Sequence, residues 1–271
     1  MNFFSDHDGV VRSLLIMRFQ HAYMDGVSFM MMMKNHISTA GFNEYLNPLE
    51  FKISLWHKFL FYANCILTGP YCVVTILYQK LFGSFWVSPL GKKLSGDRNY
   101  TWTGPIDINT IKAIRGKGSK KTRFTHVIST AFASTLAKVL PKHKVLPEIH
   151  VGELVAMLPY PNPNPQNRFT IFTYPVLTDE KDFNSNLKKT TVKSNQSMLG
   201  PETLIFNMSV NVLGNFPSPI VKIFLAGTNH SVLYSSVPGS RTQIKGANNI
   251  DVVQYGAWTP QPHDVGKSHF G

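Results

Sequence analysis

The stretch that decides the fold runs from Val10 to Gly26, VVRSLLIMRFQHAYMDG. Val10 to Phe19 is mostly apolar, ends in a polar turn and is too short for a membrane span, so the pattern predicts a buried strand. Asp25-Gly26 then punctuates the chain, and Val27-Ser-Phe-Met-Met-Met-Met-Lys has residues that suit a helix. The result is strand, tight turn and helix in immediate succession. Met30 to Met33 read as core filling, because the flexible thioether packs irregular gaps.

Working outward, Phe59 to Gln79 (FLFYANCILTGPYCVVTILYQ) carries no charge between Lys58 and Lys80, and a span needs about 20 such residues. Gly69-Pro70 lies at its middle, where proline removes a backbone donor and biases its predecessor away from the helical region. Three arrangements are open: an interfacial hairpin with Lys52, Lys58 and Lys80 at the headgroups, a true span, or a buried soluble pair of helices. Trp56, Tyr62, Tyr78 and Trp86 favour an interface over a dry core.

Beyond the Gly/Ser/Lys loop Leu90 to Gly96 the pattern is mixed α/β (α+β). Strands are expected at Tyr100-Thr-Trp-Thr, Ile149 to Leu158, Phe169 to Leu177, Ser231 to Ser236 and Ile250 to Tyr255. Helices are expected at Pro105 to Ile114, Thr125 to Leu140, Phe183 to Met198 and Pro201 to Leu225, the last broken at Gly214-Asn215-Phe216-Pro217. This gives three regions: 1–45 ending an N-terminal lobe, 46–96 an apolar helical, membrane-associated linker, and 97–271 a C-terminal lobe.

Composition narrows the function classes. Hydrophobic residues make up 43% of the chain and charged residues 15%, which excludes a disordered chain and a highly solvated one. With 27 Lys+Arg against 15 Asp+Glu the net charge is +12, so an anionic partner is expected: a phosphate-bearing cofactor, an acidic membrane face or nucleic acid. Nucleic acid has the least support, since no stacking aromatics interleave the basic residues. Cys65 and Cys72 are the only cysteines, too few for a disulfide framework or a Cys-based zinc site; no metal is expected. Met1 to Asp8 does not read as a secretory signal.

The chemistry-bearing constellation is His21-Ala-Tyr-Met-Asp25-Gly26. A histidine at the end of a buried strand has its backbone fixed, and an ordinary pKa of about 6.5 makes it a usable base near neutral pH. Asp25 can fix the turn by bonding backbone amides or a cation, and Gly26 lets the next helix start in close quarters. The plainer reading of His21 is a hydrogen-bonded core histidine. Arg115-Gly-Lys-Gly-Ser-Lys-Lys-Thr-Arg123 holds five cations and no acid. It departs from the phosphate-loop spacing, and reads either as an attractor of phosphates or lipid heads or as a solvated basic loop.

RSLLIMRFQHAYMDGVS resembles the HHxxxDG segment of the wax ester synthase/diacylglycerol acyltransferase family, within the chloramphenicol-acetyltransferase-like group of CoA-dependent acyltransferases. YSSVPGSR, Tyr234 to Arg241, is similar to that family's SNVPGP turn, and TWTGPIDINTIKAI with the small-residue helix after it resembles the entry to its second half. The resemblance implies two α/β lobes meeting at a channel, with His21 as general base, Asp25 as structural support and Gly26 completing the motif. Gln20 stands where the family has its first histidine, Thr125-His126 where it has an Asn-Asp pair lining the channel, and Ser236 where it has asparagine before Val237-Pro238-Gly239. Gln20 and Ser236 to Gly239 would contact substrate.

The implied reaction moves a fatty acyl group from acyl-CoA, a co-substrate rather than a bound cofactor, to a long-chain alcohol or diacylglycerol. No covalent intermediate forms, and a membrane surface, endoplasmic reticulum or plasma membrane, supplies the acceptor. The alternative is an inactive fragment or lipid-binding relative of the same fold. In the resembled family a whole lobe precedes the motif, so the strand after Val10 is expected to lack edge neighbours, and the chain expressed alone to be a poor enzyme.

Overall fold

The computed structural model describes residues 3–5, 11–13, 25–37, 54–82, 104, 106–140, 146–156, 169–213, 215–217, 230–236, 243–246 and 250–252. These form mixed helix and strand in two compact units. The first comprises Met1–Asn47, Pro161–Arg168 and Gly239–Thr259; the second comprises Pro48–Tyr160, Phe169–Pro238 and Pro260–Gly271.

In the first unit β1 (Phe3–Ser5) pairs antiparallel with β2 (Val11–Ser13), with Phe4 opposite Arg12. The strand predicted from Val10 is therefore present at Val11–Ser13, and it has an edge neighbour after all. Only three residues are needed to supply one, which composition alone does not reveal. Helix α1 (Gly26–Met32) continues into a single π-helical turn, Met33–Ile37; of the four methionines expected in the core Met30 is buried and Met31, Met32 and Met33 are half-buried. A ribbon of β6 (Ile244–Lys245) and β7 (Asp251–Val252) completes the described part of this unit.

The second unit is built on a three-stranded sheet in the order β4-β3-β5. β3 (Glu148–Ala156) runs antiparallel to β4 (Phe169–Leu177), Glu148 opposite Leu177 and Ala156 opposite Phe169, and parallel to β5 (Val232–Ser235). The period-2 rule sets one face: Ile149, Val151 and Glu153 on β3 and Thr170, Phe172, Tyr174 and Val176 on β4 are all buried. Ala133 and Leu136 of α4 (Phe124–Val139) and Met198 of α5 (Phe183–Met198) pack on that face. Helix α3 (Ile108–Gly116) adds Ile111 to a second cluster with Val127 and Leu187.

Short polar side chains start these helices. Asp107 accepts from the Asn109 amide at 3.0 Å, and Asp182 accepts from the amides of Asn184 and Ser185 at 3.1 Å each, satisfying donors that the first helical turn leaves open. Among the described residues β4 pairs with β3 on one side only, and α6 (Pro201–Leu213) serves its other edge. Glu202 accepts from the Thr173 amide at 3.2 Å, and the Asn207 side chain reaches the Phe169 carbonyl at 3.5 Å. Side chains thus occupy backbone groups that would otherwise recruit a foreign strand.

The apolar segment keeps the continuity of the second expected arrangement and the shape of neither other. α2 (Leu55–Phe82) is one continuous helix with Pro70 inside it, neither a hairpin nor a buried pair. The proline is tolerated because both Pro70 and Ile66, whose carbonyl loses its donor, lie on the exposed side. Among the described residues no helix is long and apolar enough to cross a membrane. The strand expected at Tyr100 to Thr103 lies outside the described residues.

Gly152 of β3 lies under the buried His230 ring: a Cβ there would meet His230 Cγ at 2.8 Å. Gly152→Ala is expected to destabilise the chain by about 1–3 kcal/mol through overpacking, read as a lower urea midpoint. A midpoint equal to that of the parent would show that the ring moves aside freely.

Candidate functional site

The first group of motif residues lies in the first unit. Asp25 is buried and caps α1, its Oδ1 accepting from the Ser28 amide at 2.7 Å and its carbonyl from the Phe29 amide at 2.9 Å. Gly26 is the first residue of the helix. The aspartate therefore fixes the turn through backbone amides, one of the two ways open to it from sequence. Gln20 and His21 lie outside the described residues.

Of the second group the described residues are Thr125 and His126 at the start of α4 and Ser236 just past the carboxyl end of the parallel strand β5, all in the second unit. Ser236 is exposed just past β5, and Val237, Pro238 and Gly239 lie outside the described residues. Burial raises the Tyr234 phenol, partly offset by a hydrogen bond with Ser236.

At the centre of this region is a charge inside the sheet's packed face. Glu153 is 2% exposed, and Arg123, the residue before α4, grips it with Nη1 to Oε1 at 3.0 Å and Nη2 to Oε2 at 3.2 Å. The same Nη2 donates to Ser194 Oγ of α5 at 2.8 Å, and the guanidinium lies over the Phe172 ring. One side chain thus ties the start of α4 to β3, β4 and α5. Burial pushes the Glu153 carboxyl above its ordinary range, while the Arg123 charge first, and then the nearby Thr125 and Tyr174 hydroxyls and the Arg123 hydrogen bonds, pull it down. Thr125 is near enough to influence that carboxylate, yet its Oγ1 makes no complete hydrogen bond.

His126 is fully enclosed in the same cluster. Its Nδ1 accepts from the Arg123 amide at 3.1 Å, and its Nε2 lies 3.1 Å from Ser194 Oγ. Burial first, and then the Arg123 charge, lower its pKa to about 3. A Ser–His contact is the usual mark of an activated nucleophile, but here neither side chain reaches solvent. The pair holds helices together and cannot meet a substrate. Thr125-His126, which stands where the resembled family has its Asn-Asp pair, is buried.

The basic run also divides. Arg115, Lys117, Lys120 and Lys121 are exposed. Arg123 is half-buried and differs from them, because its donors are committed to Glu153, Ser194 and His126. The turn between is folded: the Ser119 amide donates to Thr122 Oγ1 at 2.8 Å, and Thr122 Oγ1 is 3.1 Å from Thr191 Oγ1 on α5. Sequence reasoning missed this cluster, although a lone acid in the apolar run Ile149 to Leu158 signals that a cation must be found for it.

Among the described residues no group of three or more His, Cys, Asp or Glu could hold a metal ion. No protein-family model matches the chain, and no curated protein matches it significantly.

Two outcomes follow. Arg123→Met is expected to cost about 3 kcal/mol, since it strands a buried carboxylate, whereas adding Glu153→Leu should recover much of that loss; urea midpoints for the single and double variants measure it. A single variant as stable as the parent would remove the pair from its central place.

Stability should also fall with acid. His126 at about 3 and His230 at about 4 both lie below their ordinary 6.5 because of burial. The unfolded chain therefore binds protons first, and stability present above about pH 6.5 is lost as pH falls toward 4. The raised Glu153 and Glu202 carboxyls oppose this at the acidic end of the window. Urea midpoints between pH 7 and 5 should drop in the parent and drop less in His126→Gln.

Proposed function

We propose that the chain belongs to an O-acyltransferase of the chloramphenicol-acetyltransferase-like fold, moving a fatty acyl group from acyl-CoA to a long-chain alcohol or diacylglycerol. The observation that carries this reading is the capping geometry of Asp25. In the sequence His21-x-x-x-Asp25-Gly26 the aspartate closes the turn on the amides of Ser28 and Phe29, the supporting role the motif requires of it. The position of Ser236 just past the carboxyl end of β5, on the side of the sheet where α/β folds place substrate, is a second support.

In this reading His21 takes the proton from the acceptor hydroxyl as its oxygen attacks the thioester carbonyl. The tetrahedral intermediate collapses, the carbon–sulfur bond breaks, and the CoA thiolate leaves and recovers the proton from the imidazolium. Gln20 offers a hydrogen bond beside the base, and no acyl group is carried on the protein. A lipid-binding relative without turnover is the second reading. It is favoured by the enclosure of His126 and the mutual neutralisation of Arg123 and Glu153, which leave no free base in that cluster.

Acyl transfer from radiolabelled acyl-CoA to each acceptor class tests both. His21→Ala should lower turnover by about a hundredfold to ten-thousandfold with folding retained; a variant within a few-fold of the parent would sink the assignment. Asp25→Asn should lower stability along with rate. Gln20→His should change rate modestly, and a large gain would favour the non-catalytic reading of the natural chain.

A further inference from the structure

Helix α2 is built the wrong way round for a helix facing water. Its small residues Cys65, Thr68, Gly69, Cys72 and Thr75 recur every three or four positions and are the shielded ones. α2 packs against α6, and Cys72 of that stripe lies close enough to Glu202 to feel its charge. The large apolar residues are turned outward: Trp56 is 63% exposed, Ile66 76%, Leu67 80%, Tyr71 75% and Tyr78 63%. Large residues outside and small residues at the helix contact is the arrangement of helices that face lipid, and an exposed apolar surface of this extent marks an interaction site.

The middle of α2 rules out a crossing orientation. Cys72 sits beside Glu202, whose carboxylate accepts the Thr173 amide at the edge of β4. A crossing helix would carry that carboxylate and the sheet edge to the bilayer centre, where backbone polar groups of an open sheet are not tolerated. The Ile66 carbonyl, freed by Pro70 on the outward side, needs water or a headgroup donor, which the interface has and the hydrocarbon lacks. The charge pattern names the lipid: α2 has no acid, Lys58 and Lys80 bracket its uncharged stretch, and the chain carries +12.

We propose that α2 lies in the plane of an anionic phospholipid bilayer. The Trp56-to-Tyr78 face sinks into the headgroup and upper acyl region, and the Cys65-to-Thr75 stripe stays against α6. The inference stands apart from the acyl-transfer reading, and its test involves no turnover.

The test is flotation of the full chain with vesicles of phosphatidylcholine, with and without phosphatidylserine, at low salt and at about 1 M salt. Phosphatidylserine should strengthen binding at low salt, and much of the binding should survive high salt because apolar burial is not screened. Ile66→Asp/Leu67→Asp/Tyr71→Asp should lower partitioning at least about tenfold with an unchanged circular dichroism spectrum; Ile66→Asp alone gives the same readout should the triple variant unfold. For depth, Leu67→Trp is placed in a chain whose own tryptophans are replaced by phenylalanine, and quenched by lipids brominated near the headgroup or near the chain end. Shallow bromines should quench it more strongly. Four results would overturn the proposal: no flotation, aspartate variants that float like the parent, strongest quenching by chain-end bromines, or a concentration-dependent dimer that these substitutions dissolve while vesicle binding is untouched.

Discussion

The Arg123–Glu153 pair is the constraint on which the second unit depends. A carboxylate on the helix-facing side of β3 is tolerable only with a cation held to it in fixed geometry, and the cation comes from the residue that starts α4. That requirement sets the register of α4 against the sheet. His126 and Ser194 then fill the remaining hydrogen-bonding positions, so helix, sheet and α5 are located by one guanidinium. The neighbouring apolar contacts of Ala133, Val151 and Tyr174 contribute more buried area, but they would tolerate a helix slid by a turn. The ion pair would not.

Edges are handled differently on the two sides of this sheet. β4 is closed by side chains of α6, with Glu202 and Asn207 doing for its backbone what another strand would do. Among the described residues β5 pairs with β3 alone. α6 therefore has two duties, because the helix that seals β4 also carries α2. Its half-buried Glu202 links the apolar surface of α2 to the polar frame of the sheet.

Much of the second unit was legible in the sequence. The helix from Phe183 to Met198 and the strand from Phe169 to Leu177 have the limits read from their patterns, because Asp182 and the Pro/Asn loop mark sharp boundaries. α2 was legible only in part: one continuous helix was among the arrangements left open, and the mid-helix proline, judged on the average helix, could not decide for it, whereas here the lost hydrogen bond falls on the exposed side. β1 escaped notice because a three-residue strand has no period to detect. The Asp25 cap was legible as one of two options, since Asp-Gly before a helix-compatible run has a defined backbone role. The Arg123 cluster was not, because pairing a residue in a basic run with one in an apolar strand thirty positions away is a tertiary fact; only the isolated acid hinted at it.

The orientation of α2 also decides what becomes of its two thiols. Cys65 and Cys72 fall on the half-buried stripe, Cys72 beside Glu202 of α6, and burial raises the pKa of both. Each therefore holds little thiolate at neutral pH, and oxidants or alkylating reagents in solution meet a slow partner. Any loosening of α2 from α6 uncovers them and quickens the reaction. The cysteines thus act as a built-in clock for that separation, and the rate of their modification measures how often the helix lifts away from the body it rests on.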